Sequence, residues 1–154
     1  MTEEKFWLMK SEPDAYSIEN LEKDITTLWD GIRNYQARNF MRKMELKDKV
    51  FFYHSNCKPP GIVGLMDVIE KNLVDPTQFD KNSKYYDPKS RESSPKWDCV
   101  KVKFLSKSQK ILSLLELKLI FDEEDLIITR RGNRLSITPV KEDIALKIIR
   151  KLNL

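Results

Sequence analysis

The chain is poor in the residues that most often mark catalysis. Its four glycines build neither a phosphate-cradling loop nor a dinucleotide fingerprint, both of which need clustered glycines at fixed spacing. It has no G-x-S-x-G elbow, which excludes a serine nucleophile of that kind. The two cysteines, Cys57 and Cys99, lie far apart with no C-x-x-C pair, and the single histidine, His54, cannot complete a typical zinc site with them. Two reduced thiols in a cytosolic-type compartment are therefore expected, with no metal and no cofactor. Apolar runs never approach the roughly 20 residues that a membrane helix needs, and the N-terminus lacks the flanks of a signal peptide. The sequence reads as soluble and intracellular, with no membrane partner.

What is present is ordinary for a folded protein. Apolar residues make up 40% and charged residues 34% of 154 residues, enough to bury a core without staples and consistent with one domain over residues 1–154. Internal repeats, low-complexity blocks and linkers are not evident. The net charge of +4 and isoelectric point near 9.0 are compatible with a nucleic-acid partner and do not by themselves establish one.

The centre of the pattern is Val50-Phe51-Phe52-Tyr53-His54-Ser55-Asn56. It begins as a strand apolar on both faces, so both faces should be covered. It ends in a run of donors and acceptors. Pro59, Pro60 and Gly61 force a turn into a second strand, Ile62 to Ile69. Such a polar cluster at the mouth of a sheet suits recognition of a small planar group.

Around it, Phe6 to Lys10 reads as a short strand, with Trp7 and Met9 on one face and Phe6, Leu8 and Lys10 on the other. Ser17 caps a short helix from Ile18 to about Lys23. Trp29 to Arg33 reads as a turn punctuated by Asp30-Gly31. Asn34 caps a helix from about Tyr35 to Met44, whose apolar stripe is Ala37, Phe40, Met41 and Met44. Asn34, Arg38 and Arg42 share another face: a solvated face on the plain reading, a phosphate-binding edge on the sharper one. The stretch Asp75 to Lys96, with Tyr85-Tyr86-Asp87 inside it, is too long for an idle connection. Val100 to Phe104 alternates as a half-buried strand. Helices are expected over Ile111–Leu119 and Glu123–Ile128, and a brief strand over Leu135–Ile137. Thr138, with Pro139 at the first helical position, is read as the cap of the last helix.

Three tryptophans, Trp7, Trp29 and Trp97, are most simply core residues. Trp29 beside Asp30 and Arg33, and Trp7 near Lys10 and Ser11, also match what a flipped base or a methylated amine requires: a ring to stack on and polar atoms at its edge.

These stretches also resemble a known family. Phe6 to Asp14, Trp29 to Asn39, Phe51 to Asn56 with Pro60 to Gly64, Tyr85 to Lys89, Trp97 to Phe104 and Arg134 to Val140 resemble, in order, the segments of EVE-domain proteins. The resemblance implies an α+β, PUA-like fold, a curled mixed sheet or partial barrel with helices packed around it, related to YTH domains. It implies a nucleic-acid partner carrying a modified base, for which modified cytosine in DNA is the expectation. It places the pocket among Trp7, Lys10, Ser11, Trp29, Arg33, Asn34, Tyr35, Tyr53, His54, Ser55, Asn56 and Ser136. Trp29 and Tyr53 are the expected stacking faces, with Ser11, Asn34, Ser55 and Asn56 reading base edges. Lys10, Arg33, Arg38 and Arg42 are the expected phosphate contacts. A bare domain of this kind, without a fused effector, would act through a partner protein or through occupancy. It would be cytoplasmic in a bacterium and nuclear in a eukaryote. The rival readings are an RNA-binding module, a small enzyme acting on a nucleotide with His54 as acid or base, and a protein-interaction module facing an acidic partner.

Overall fold

The computed structural model describes residues 4–154. Six strands form one open mixed sheet in the order β2-β5-β4-β3-β1-β6. They are β1 (Phe6–Ser11), β2 (Thr26–Trp29), β3 (Lys49–His54), β4 (Gly61–Val74), β5 (Asp98–Ser113) and β6 (Ile137–Val140). The helices are α1 (Ile18–Asp24), α2 (Tyr35–Arg42), α3 (Leu114–Ile120) and α4 (Glu142–Leu152).

The parallel pair β1–β3 lies inside the sheet, in register Trp7↔Val50 through Ser11↔His54. A parallel pair needs cover on both faces, and the alternation in the sequence supplies it. Trp7, Met9, Val50 and Phe52 enter one core, closed by Ile18 and Leu21 of α1 and Ala37 and Met41 of α2. Phe6, Leu8, Phe51 and Tyr53 enter the other, closed by Leu117 of α3 and Ile144, Ala145 and Ile148 of α4. Ser17 and Asn34 cap α1 and α2 through their side-chain oxygens, as the sequence predicts.

Several boundaries differ from expectation. Trp29 is the last residue of a strand, paired with Val100, and the turn begins after it. β4 and β5 run far beyond their apolar cores as a long ribbon. The helix expected from Ile111 starts only at Leu114, because Leu112 and Ser113 still pair with Ile62 and Gly61. The helix expected over Glu123–Ile128 is a turn followed by a 3-10 segment, Ile127–Thr129. The Asp122 side chain accepts from Glu124 N and Asp125 N there, a local alternative to helix. Thr138 and Pro139 lie in β6, and α4 starts at Glu142 with Lys141 before it. β6 is an edge strand, where proline's missing donor is tolerated.

The long stretch after β4 is built on a buried amide. Gln78 is fully buried. Its Nε2 donates to Asp75 O and Trp97 O, and its Oε1 accepts from Ser90 Oγ, Lys96 N and Trp97 N. A fully satisfied buried amide specifies one arrangement of the strands of chain around it, so this segment forms a fixed wall.

Candidate nucleic-acid interface

The ends of β1, β3 and β2 converge on a cleft of about 920 Å³, within the range of ligand sites. Lys10 and Ser11 come from β1, Ser55 from just beyond β3, and Ser136 from just before β6. Backbone bonds bring these ends together: Lys10 N donates to Ser136 O and Ser55 N to Ser11 O. The Ser11 hydroxyl donates to Tyr16 O. Those of Ser55 and Ser136 donate to no other residue among those described. The second wall is Leu28, Trp29, Asp30 and Gly31, and the third is Lys84 and Tyr85.

The second and third walls are clamped together. Asp75, fully buried, accepts from Gly31 N at 2.8 Å and from Arg33 Nη1 at 3.0 Å, while its other oxygen accepts from Thr77 N. Gly31 has φ of +79°, and a Cβ there would lie 2.8 Å from the Tyr85 ring. Glycine is thus required both for the turn and for the close approach of Tyr85. Arg33 donates twice to Tyr85 O and once each to Ile32 O, Asp75 and Thr77 Oγ1. These five bonds match the number of N–H groups a guanidinium has. Arg33 therefore acts as a strut between walls, its charge balanced by Asp75 and its faces between Tyr85 and Trp97.

The three tryptophans divide sharply. Trp7 Nε1 donates to Asp48 at 2.9 Å and Trp97 Nε1 to Asp87 at 2.7 Å. Trp29, packed edge-on against Phe52, donates to no acceptor among the described residues, and its Nε1 is not sealed from solvent. Beside it, the Asp30 carboxyl receives no hydrogen bond from another described residue. Burial and the charge of Asp75 raise the Asp30 pKa, opposed by its own backbone amide and by Arg33. Burial lowers the pKa of Lys10, and burial with the Asp24 hydrogen bond pushes Tyr16 up to about 12.

Of the residues expected at the site, Lys10, Ser11, Trp29, Arg33, Asn34, Ser55 and Ser136 line the cleft. Trp7 faces the core and a second groove, beside Phe40. Tyr53 is 2% exposed and sits in the opposite core. Tyr35 stacks on Trp97 at 4.8 Å, outside the cleft. His54 accepts from Ile18 N at 3.1 Å through Nε2, capping α1. Asn56 donates to Glu12. Asn34 spends its carbonyl oxygen on Ala37 N. Arg38 bonds Lys96 O and lies over Tyr35, and Arg42 is paired with Asp98. The sequence reading passed over Tyr16, Leu28, Asp30, Lys84, Tyr85 and Arg134, all lining the cleft. The sequence offers Asp30 as turn punctuation and as a polar group beside Trp29 without placing it in the pocket, and Tyr85 as part of the Tyr85-Tyr86-Asp87 triplet.

Among the described residues no helix is long and apolar enough to cross a membrane, and no cluster of potential metal ligands is found. Both cysteines are free.

Comparison with known proteins gives a consistent answer. The EVE domain family matches residues 5–151. Thymocyte nuclear protein 1 of Rattus norvegicus is 52% identical over 124 residues, covering 73% of this chain and 55% of that protein. The Homo sapiens protein is 50% identical over 123 residues, with the same coverage. The chain thus spans about half the length of these curated relatives. Among solved structures, human THYN1 protein in complex with 5-methylcytosine-containing DNA superposes with a TM-score of 0.90 at 40% identity, covering 97% of this chain and 98% of that one. A protein from Pseudomonas syringae reaches 0.91 at 40% identity, covering 95% and 98%. The chain belongs to the EVE domain family.

Proposed function

We propose that this protein is a non-catalytic reader of DNA that holds one modified cytosine, turned out of the stack, in the cleft between Trp29 and Ser55. The observation that carries the reading is Trp29. Among the described residues its indole N–H has no acceptor, at the wall of a cleft roomy enough for a base, beside a carboxyl and two hydroxyls that donate to or accept from no other residue there. A base needs a flat apolar face and a few edge contacts. Trp29 and Tyr85 supply rings, Leu28 supplies apolar surface for a methyl group, and Asp30, Ser55 and Ser136 supply edge contacts. Lys10, Lys84 and Arg134 at the cleft are placed to meet phosphates, since Arg33 and Arg42 are already engaged within the protein. The human THYN1 complex with 5-methylcytosine-containing DNA, on the same fold, supports the choice of nucleic acid and of modified base. Binding without turnover is supported by His54, the one histidine, whose Nε2 is spent on Ile18.

The test is a titration with matched oligonucleotides carrying cytosine or 5-methylcytosine. A preference for the methylated strand, weakened in Trp29→Phe, is expected. Equal affinity for both strands, unmoved by that substitution, would overturn the reading.

A further inference from the structure

Resting on that reading of the cleft, we infer that Asp30 is its specificity-determining residue, pairing both carboxyl oxygens with the N3–N4 edge of the extruded cytosine and sharing one proton with it. The residue stands next to Trp29, the ring the base would meet. Its backbone is fixed on the following side, where Gly31 N is bonded to Asp75 and Arg33 is locked to Asp75 and Tyr85. Its carboxyl group is open to the cleft and takes no bond from another described residue. A carboxyl on a backbone fixed by its neighbour, without a partner among the described residues and set among the hydroxyls, rings and charged groups of the cleft, is free for the ligand.

The donor count then sets the protonation state. Cytosine offers an N4 amino donor and an N3 acceptor side by side. An ionised carboxylate only accepts. It can take the N4 hydrogen, but its second oxygen faces the N3 lone pair. One proton placed between Oδ and N3 turns this repulsion into a second hydrogen bond. The proton comes from solvent, so closing the pair takes up one proton. The surroundings favour this: burial, and then the charge of Asp75, already raise the Asp30 carboxyl above its usual range.

The other charged or titratable groups around it are Arg33 before α2, Lys10 and Glu12 at the end of β1, Tyr16, Lys84 and Tyr85 in the third wall, Arg134 before β6, and Cys99 on β5. Of these, Arg33 opposes protonation, as does Asp30's own backbone amide. Cys99 is pushed up to about 12 by burial and stays a neutral thiol throughout.

The experiment compares wild type, Asp30→Asn and Asp30→Ala by fluorescence anisotropy on a 5-methylcytosine oligonucleotide, from mildly acidic to mildly alkaline buffer. Thermal melts confirm folding of each. Wild-type affinity is expected to fall with rising pH, by up to about tenfold per unit. Asp30→Asn presents an amide donor and a carbonyl acceptor at every pH. It should lose the pH dependence and bind more tightly than wild type in alkaline buffer. Asp30→Ala should weaken binding about 10- to 100-fold in acid, the size of a two-bond base contact. Subtracting the Asp30→Asn profile removes contributions from the other groups. The inference is overturned if wild type and Asp30→Asn share one pH profile, or if Asp30→Ala binds like wild type in acid. Wild-type protein with no preference for methylated DNA overturns the parent reading instead. That result is visible before any variant is made, and the inference falls with it.

Discussion

Trp7 with Asp48 and Trp29 with Asp30 are the same two residue types on one sheet, and they have opposite fates. Asp48 is 1% exposed and accepts from Trp7 Nε1, Lys5 N and Glu45 N. Every polar atom of that pair is satisfied by the fold. Trp29 and Asp30 have no such closure: among the described residues neither side chain is bonded to another residue, and both line the cleft. Trp97 with Asp87 repeats the closed arrangement, and the indole hydrogen bond holds the Asp87 carboxyl below its ordinary range. A closed pair contributes to stability, whereas an open pair keeps its hydrogen-bonding capacity for something outside the protein.

The comparison predicts opposite phenotypes. The largest effect on stability should come from Asp48→Ala. It strands three donors, the indole one buried and the two backbone ones part-buried, and should cost about 3 kcal/mol in denaturant unfolding. A loss below about 1 kcal/mol would mean that the pair is not the anchor it looks to be. Next come Trp7→Phe and Trp29→Phe as a crossed test. Trp7→Phe should lower stability by about 1–3 kcal/mol, because Asp48 loses a donor, and leave DNA affinity in place. Trp29→Phe should weaken binding about tenfold, the size of one lost hydrogen bond to a ligand, with the smaller loss of stability. If Trp7→Phe were the variant that lost binding, the assignment of open and closed pairs would be reversed.

The difference between the pairs could not be read from the sequence, and the reason is physical. Trp7 was legible as a strand residue because β1 alternates between two cores, as Phe6 to Lys10 announces. Asn34 and Ser17 were legible as caps because capping is local chemistry. Whether an indole finds an acceptor depends on a residue 41 positions away for Trp7, and local pattern carries no information about that. The same holds for Arg33. Its neighbours suggested a phosphate contact, yet Asp75, 42 residues on, turns it into a strut. The resemblance makes Tyr53 an expected stacking face, but strand alternation points it into the opposite core. Asp30 is legible beside Trp29 but not as a member of the pocket, because Asp-Gly reads first as a turn. Resemblance along the chain brought the right neighbourhood, and only packing separated cleft from core within it.

Charge sharpens the comparison at a smaller scale. Lys10, Lys84 and Arg134 line the cleft, whereas Arg42 is tied to Asp98 and Arg38 to Lys96 O. Alanine at any of the first three should reduce the slope of log affinity against log salt by about one, and should weaken methylated and unmethylated DNA alike. Arg42→Ala should leave the slope unchanged. A drop in slope for Arg42→Ala equal to that of Lys84→Ala would place α2 on the nucleic acid and shift the interface away from the third wall.

The smallest effect concerns His54, which belongs with the closed pairs. Its Nε2 accepts from Ile18 N, a bond that only neutral imidazole can make. Burial lowers its pKa below the ordinary 6.5, with Glu19 pulling weakly the other way. Between the folded and unfolded values the unfolded chain binds more protons, so stability rises with pH across that window. The contribution is complete above about pH 6.5 and fades as pH falls through the folded value. Its size should be about 1 kcal/mol, that of one capping bond. Asp30 has the opposite sign: its folded pKa is raised, so falling pH relieves a cost instead of creating one. The two trends partly cancel in wild type. Melting temperature against pH in the Asp30→Asn background should therefore expose the full acid-side decline due to His54, and His54→Gln in that background should flatten it. If the decline is the same with and without Asp30, that carboxyl carries no protonation cost in the fold, and the contrast between the open and closed pairs loses its electrostatic half.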